Sequence, residues 1–124
     1  MERSAGIGGI FLKARDPAAL ADWYRVNLGI PVVAGQAYGT LASKSSGEQS
    51  VWATFPDDTD YFGAGPQTFM INYRVQRLDA MLAQLRAAGV QVDDRVESHE
   101  SGRFGWAVDP EGNRFELWEP LPKN

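Results

Sequence analysis

The sequence predicts an α+β fold built from two βαβββ modules, and three observations predict it. The same order of elements occurs twice, the strand candidates alternate apolar and polar residues, and each helix candidate stops at a glycine. Set over one another with one extra residue in the first helix, the halves bring Gly9 over Met70, Leu12 over Tyr73 and Gly29 over Gly89. The last strands then align as Trp52-Ala53-Thr54-Phe55-Pro56 over Glu116-Leu117-Trp118-Glu119-Pro120. Two such modules fit one domain spanning 1–124, with module 1 at about 5–56, a linker at 57–67 and module 2 at about 68–120.

In module 1 the stretch Ile7–Arg15 alternates as a strand, with Ile10, Leu12 and Ala14 on one face and Gly9, Phe11 and Lys13 on the other. Asp16-Pro17 then opens a helix, because Asp can accept from the first free N–H groups and Pro fits where no N–H is needed. Leu20, Trp23, Tyr24 and Leu28 recur at helical spacing, and Gly29 supplies the left-handed stop. Ile30–Val33, a polar glycine-containing stretch around Gln36–Thr40, a turn at Ser43–Gln49 and a strand at Ser50–Phe55 complete the module.

Module 2 repeats the plan. Thr68–Val75 is a strand with Phe69, Ile71, Tyr73 and Val75 on one face and Met70, Asn72 and Arg74 on the other. Leu78, Met81, Leu82 and Leu85 mark the helix that Gly89 ends. Val90–Val92, Arg103–Val108 and Arg114–Trp118 are the remaining strands, the last two joined by the tight turn Asp109-Pro110-Glu111-Gly112-Asn113. The linker is rich in Asp, Gly and Pro.

Composition narrows the partners. Hydrophobic residues make up 44% of the chain, which marks a globular protein. Sixteen acidic against twelve basic side chains give a formal charge of −4 with no Lys/Arg block, which argues against nucleic acid and against an anionic membrane. The absence of Cys removes disulfides, thiolate metal sites and cysteine nucleophiles. No apolar run approaches the roughly 20 residues of a membrane span, and Met1-Glu2-Arg3-Ser4 lacks a signal core, so a cytoplasmic location is expected.

The run Asp109–Pro120, the helix Asp16-Pro17…Trp23-Tyr24…Leu28-Gly29 and the helix end Ala87-Ala88-Gly89-Val90 together resemble the vicinal oxygen chelate superfamily. That superfamily includes glyoxalase, bleomycin-resistance and extradiol-dioxygenase proteins, and the resemblance covers nearly the whole chain. It implies curved mixed sheets around a cleft. Period-two reasoning then sends Gly9, Phe11, Lys13, Trp52, Thr54, Met70, Asn72, Arg74, Glu116 and Trp118 toward that cleft, with Trp106 as an addition of less certain register. The plainer reading of Phe11, Met70 and the tryptophans is packing.

Metal-using members of the superfamily draw His or Glu ligands from the first and last strands of both modules. Carried over residue by residue, those positions are Gly9, Trp52, Met70 and Glu116, of which Glu116 alone is a ligand type. A catalytic metal site usually keeps about three protein ligands, so the expectation is a protein without a cofactor and without the usual divalent-metal centre. His99 is read as a solvated loop histidine, Asp57-Asp58…Asp60 as a linker charge run, and Gly6–Gly9 as no phosphate cradle.

Two functions follow. In the first the chain binds a small organic ligand, as bleomycin-resistance proteins do, with Phe11, Lys13, Trp52, Thr54, Met70, Asn72, Arg74, Trp106 and Trp118 lining the site. In the second it is a lyase-, isomerase- or dioxygenase-like enzyme using Glu116, either metal-free with Glu116 as a base, where aromatic burial weakens its acidity and Lys13 or Arg74 opposes that shift, or recruiting a divalent ion through Glu116, water and the substrate's own oxygens. The structural alternative for Glu116 is an ion pair with one of those cations. The resemblance also implies a homodimer.

Overall fold

The computed structural model describes residues 1–43 and 47–122, so 44–46 of the turn predicted at Ser43–Gln49 lie outside the described residues. The repeat predicts three strands after each helix; among the described residues two follow the first helix and four the second, in the order β1 (Ile7–Ala14), α1 (Pro17–Leu28), β2 (Tyr38–Ala42), β3 (Gln49–Pro56), β4 (Phe69–Arg74), α2 (Leu78–Ala87), β5 (Gln91–Val92), β6 (Glu97–His99), β7 (Gly102–Val108) and β8 (Arg114–Pro120). The fold is α+β with mixed strand pairing, the first module reading βαββ and the second, with the added short strand β6, βαββββ. The chain divides into two compact units, residues 8–70 and residues 71–124 together with 1–7.

In the unit of residues 8–70 the strands run in the order β2-β3-β1, with β1 parallel and β2 antiparallel to β3. Helix α1 starts where Asp16-Pro17 predicts: the Asp16 carboxylate accepts from the Ala19 N–H at 3.1 Å. It stops at Gly29, whose φ of 70° is left-handed. Two expectations are corrected here. Ile30–Val33 forms no strand and contributes an isolated bridge from Val32 to Gly39. Of the predicted α1 stripe, Trp23 and Leu28 are exposed, while Ala21 is fully buried and Tyr24 packs its ring 4.9 Å from Trp52. The linker is also more than a connector. Phe62 is fully buried, and the Tyr61 and Phe62 rings lie 5.4 and 5.3 Å from Phe55, which also meets Phe11.

In the other unit β8 lies between β4, to which it is parallel, and β7, to which it is antiparallel; β5 and β6 both pair with β7. The alternation read from β4 holds at Tyr73 and Val75, which join Leu78, Met81, Leu82 and Leu117 in the core beneath α2. Gly105 sits on that same helix side, where an added Cβ would lie 3.2 Å from a Leu82 methyl. The loop expected around His99 is instead the short strand β6, because Glu100-Ser101 turns the chain back so that His99 pairs with Gly102. No helix among the described residues is long and apolar enough to cross a membrane.

Candidate functional site

Opposite faces of neighbouring strands are fixed by register, and register decides which predicted site residues meet. On β4, β8 and β7 one cross-strand row contains Asn72, Glu116 and Trp106; the next contains Arg74, Trp118 and Phe104. Both rows turn away from α2, since the alternate residues Tyr73, Leu117 and Gly105 face it. The sequence-predicted residues Asn72, Arg74, Trp106, Glu116 and Trp118 are therefore brought together within one unit.

Glu116 is the centre of this face. Its side chain is 1% exposed, with Asn72 at 2% and Trp106 at 0%. The Asn72 amide donates through Nδ2 to Glu116 Oε1 at 2.6 Å, and the Trp106 indole donates through Nε1 to Oε2 at 2.9 Å. Each carboxylate oxygen thus receives a fixed N–H donor. Taking a carboxylate out of water costs several kcal/mol unless such partners replace the lost solvent.

Cations stand close to the same indole. The guanidinium carbons of Arg95 and Arg114 lie 5.3 and 5.4 Å from the Trp106 ring centroid, within cation–π range. Asp93 holds this corner: it accepts from the Arg95 backbone N–H at 2.9 Å and pairs with Arg114 at 3.3 Å. The Arg95 N–H bond, aided by Arg114 and opposed by burial, holds the Asp93 carboxyl below its ordinary value. In the outer row the Phe104 and Trp118 rings are parallel within 2° at 6.0 Å. Arg74 lies 5.6 Å over Trp118, and the Trp118 indole donates to Ser101 O at 2.8 Å. Exposed His99 bonds Glu97 at 3.0 Å and tilts against Phe104.

The remaining predicted residues belong to the unit of residues 8–70. Phe11, Lys13 and Phe55 share a face there, with Phe11 against Phe55 and Lys13 Nζ 5.5 Å over Phe62. Met70 is 1% exposed. Trp52 and Thr54 require a correction, because they do not share the face of Phe11. The parallel register pairs Ile10 with Trp52 and Leu12 with Thr54, so both point to the α1 side. Trp52 meets Tyr24, and the Thr54 hydroxyl bonds Pro17 O at 2.9 Å and Ala37 O at 3.2 Å. A one-residue difference in register sends every side chain of a strand to the other face.

The superfamily's metal centre does not fit these residues. Gly9 has no side chain, Trp52 faces α1, and Met70 offers only a thioether. Both Glu116 oxygens are engaged by N–H donors. Among the described residues no three His, Cys, Asp or Glu side chains converge as a metal site.

Sequence reasoning missed Phe104, Arg95 and Arg114. Phe104 was within reach, because it stands two residues before Trp106 on one strand and so shares its face. Arg114 carried the same signal, two residues before Glu116 on β8, whereas Arg95 gave none, since its approach to Trp106 depends on how the chain before β6 meets β7. A hollow of about 550 Å³ lies elsewhere on this unit, at the far end of α2, walled by Leu85, Val90, Val108, Pro110 and Phe115. None of the predicted site residues lines it.

Comparison with known proteins completes the description. Residues 9–118 match the family model described as a glyoxalase-like domain. No curated protein matches the chain. Among solved structures, methylmalonyl-CoA epimerase from Mycobacterium tuberculosis superimposes with a TM-score of 0.69 at 22% identity, covering 96% of this chain and 90% of that one. A Streptomyces coelicolor methylmalonyl-CoA epimerase variant in complex with 2-nitronate-propionyl-CoA gives 0.71 at 22% identity, covering 93% and 96%. A Legionella pneumophila structure described as NAD-dependent benzaldehyde dehydrogenase gives 0.61 at 13% identity, covering 89% and 96%. At these identities the likenesses establish the fold.

Proposed function

Because the chain belongs to the glyoxalase-like domain family of the vicinal oxygen chelate superfamily, we propose that it binds a small organic molecule, without a divalent metal, on the face of β4, β7 and β8 that carries Glu116. One observation carries this reading: a carboxylate at 1% exposure is held at both oxygens by oriented N–H donors. A buried charge fixed this way is costly as mere filling, and perturbed, preorganised groups concentrate at binding sites. The half-buried Arg74, Trp118 and Phe104 supply a flanking surface of one cation and two rings.

The test is an NMR titration of the four tryptophan indole N–H signals with a panel of small aromatic amides, acids and thioesters. Binders should shift the Trp106 signal, saturate at one molecule per site, and be indifferent to EDTA. Glu116→Gln should weaken them by tenfold or more. Loss of binding on chelation, with elemental analysis returning a stoichiometric transition ion, would overturn the proposal.

A second reading is favoured by the epimerase neighbours and by the place of Glu116 on the last strand. Here the Glu116 carboxylate takes a proton from carbon next to a thioester carbonyl, the C–H electrons pass to that carbonyl oxygen, and they return to the carbon as a solvent-derived proton adds to its other face. Incorporation of deuterium from solvent into methylmalonyl-CoA, abolished in Glu116→Gln, is the expected signature. Binding without exchange leaves the first reading in place. The exposed Trp23, Val26 and Leu28 of α1 support self-association as a further property, and sedimentation equilibrium reads it directly.

A further inference from the structure

We infer that the molecule bound at this face presents an N–H or O–H donor to Asn72. This rests on the small-molecule reading above and names the chemical class that the site selects. The Asn72 side chain is 2% exposed, and its Nδ2 donates to Glu116 at 2.6 Å. That bond fixes the amide. Turned over, Oδ1 would face a carboxylate oxygen at the same distance, acceptor against acceptor. Oδ1 is therefore committed as an acceptor, yet it has neither solvent contact nor a hydrogen-bond partner among the described residues.

Buried acceptors are almost always satisfied, and sites built around one reject analogues that lack the matching donor. The sign of the donor follows from its surroundings. The carboxylate bonded to the same amide repels an incoming anion and favours a neutral or cationic donor, such as a phenol, an amide or an amine. Aromatic stacking is a weaker source of selection here. Trp106 already has two guanidinium groups within cation–π distance, and Trp118 has Phe104 and Arg74. The next residues along the same face of β4 and β8, Arg74 and Trp118, are half-buried. The acceptor thus lies one strand step, about 7 Å, behind a surface that a ligand can touch.

Paired fragments test the inference on the native protein: phenol against anisole, benzamide against N,N-dimethylbenzamide, and benzyl alcohol against benzyl methyl ether. Affinities come from the Trp106 indole shift. The donor-bearing member of each pair should bind at least tenfold more tightly, and Asn72→Ala should erase the difference. The native comparison stands even where that variant does not fold. Equal affinities within the pairs overturn the donor inference while the small-molecule reading survives. No shift from any fragment overturns both.

Discussion

The two modules repeat one plan but fill the face away from their helices in opposite ways. In the unit of residues 8–70 that face carries Phe11, Lys13 and Phe55, and the linker rings Tyr61 and Phe62 pack around Phe55. In the unit of residues 71–124 it carries Asn72, Glu116 and Trp106, with a buried carboxylate held by two N–H groups. The duplicated backbone therefore fixes where side chains can stand without fixing what they do. One copy uses the face for apolar packing, and the other spends stability to hold a charge out of water. Chemistry belongs to the site and not to the fold.

The sharpest way to break this comparison is to remove one nitrogen from each module's buried indole. Trp52→Phe loses apolar contact with Tyr24 and should cost about 1–2 kcal/mol, as a conservative core change does. Trp106→Phe also strips Glu116 Oε2 of its donor and should cost about 1–3 kcal/mol more, the penalty for disrupting a buried charged hydrogen bond. Urea denaturation of both variants measures the difference. Equal losses would mean that the Glu116 cluster is no more than packing.

A smaller effect separates the two helix starts. Helix α1 is capped locally by Asp16, whereas the first N–H of α2, at Leu78, is bonded at 2.7 Å by the carboxylate of Glu119 from β8. Asp16→Ala and Glu119→Ala should each cost about 1 kcal/mol. Only the second should also loosen β8, seen as lost amide-exchange protection at Leu117 and Trp118. Protection that changes alike in both variants would remove the distinction.

The smallest effect is acid sensitivity in residues 71–124. Hydrogen bonds from the Asn113 backbone and side chain, and from Glu111 and Gly112, hold the Asp109 carboxyl below its ordinary value; Asp93 is lowered likewise, first by the Arg95 N–H. A folded-state pKa below the unfolded one stabilises the protein above the unfolded value of about 3.8 and is lost as pH falls through the folded value. Melting temperature should therefore drop below about pH 4, and less steeply in Asp109→Asn. An unchanged slope would show that the β7–β8 turn does not depend on that ionised group.

The sequence by itself determined both helices, their stops and the start of α1, because Asp16-Pro17, Gly29 and Gly89 act through bonds and dihedrals within a few residues of themselves. It also put Asn72 with Arg74 on one face of β4, and Glu116 with Trp118 on one face of β8, since alternation needs nothing beyond the strand. Tertiary structure alone decided the face of β3. Trp52-Ala53-Thr54 reads plausibly either way, and pairing Ile10 with Trp52 chose the side. It also decided the Glu119 cap on α2, the return of Tyr61 and Phe62 to Phe55, and the approach of Arg95 and Arg114 to Trp106. Each of these joins residues distant in the chain or on separate elements. Local periodicity carries no information about such meetings, because they are set by how strands register and where loops close.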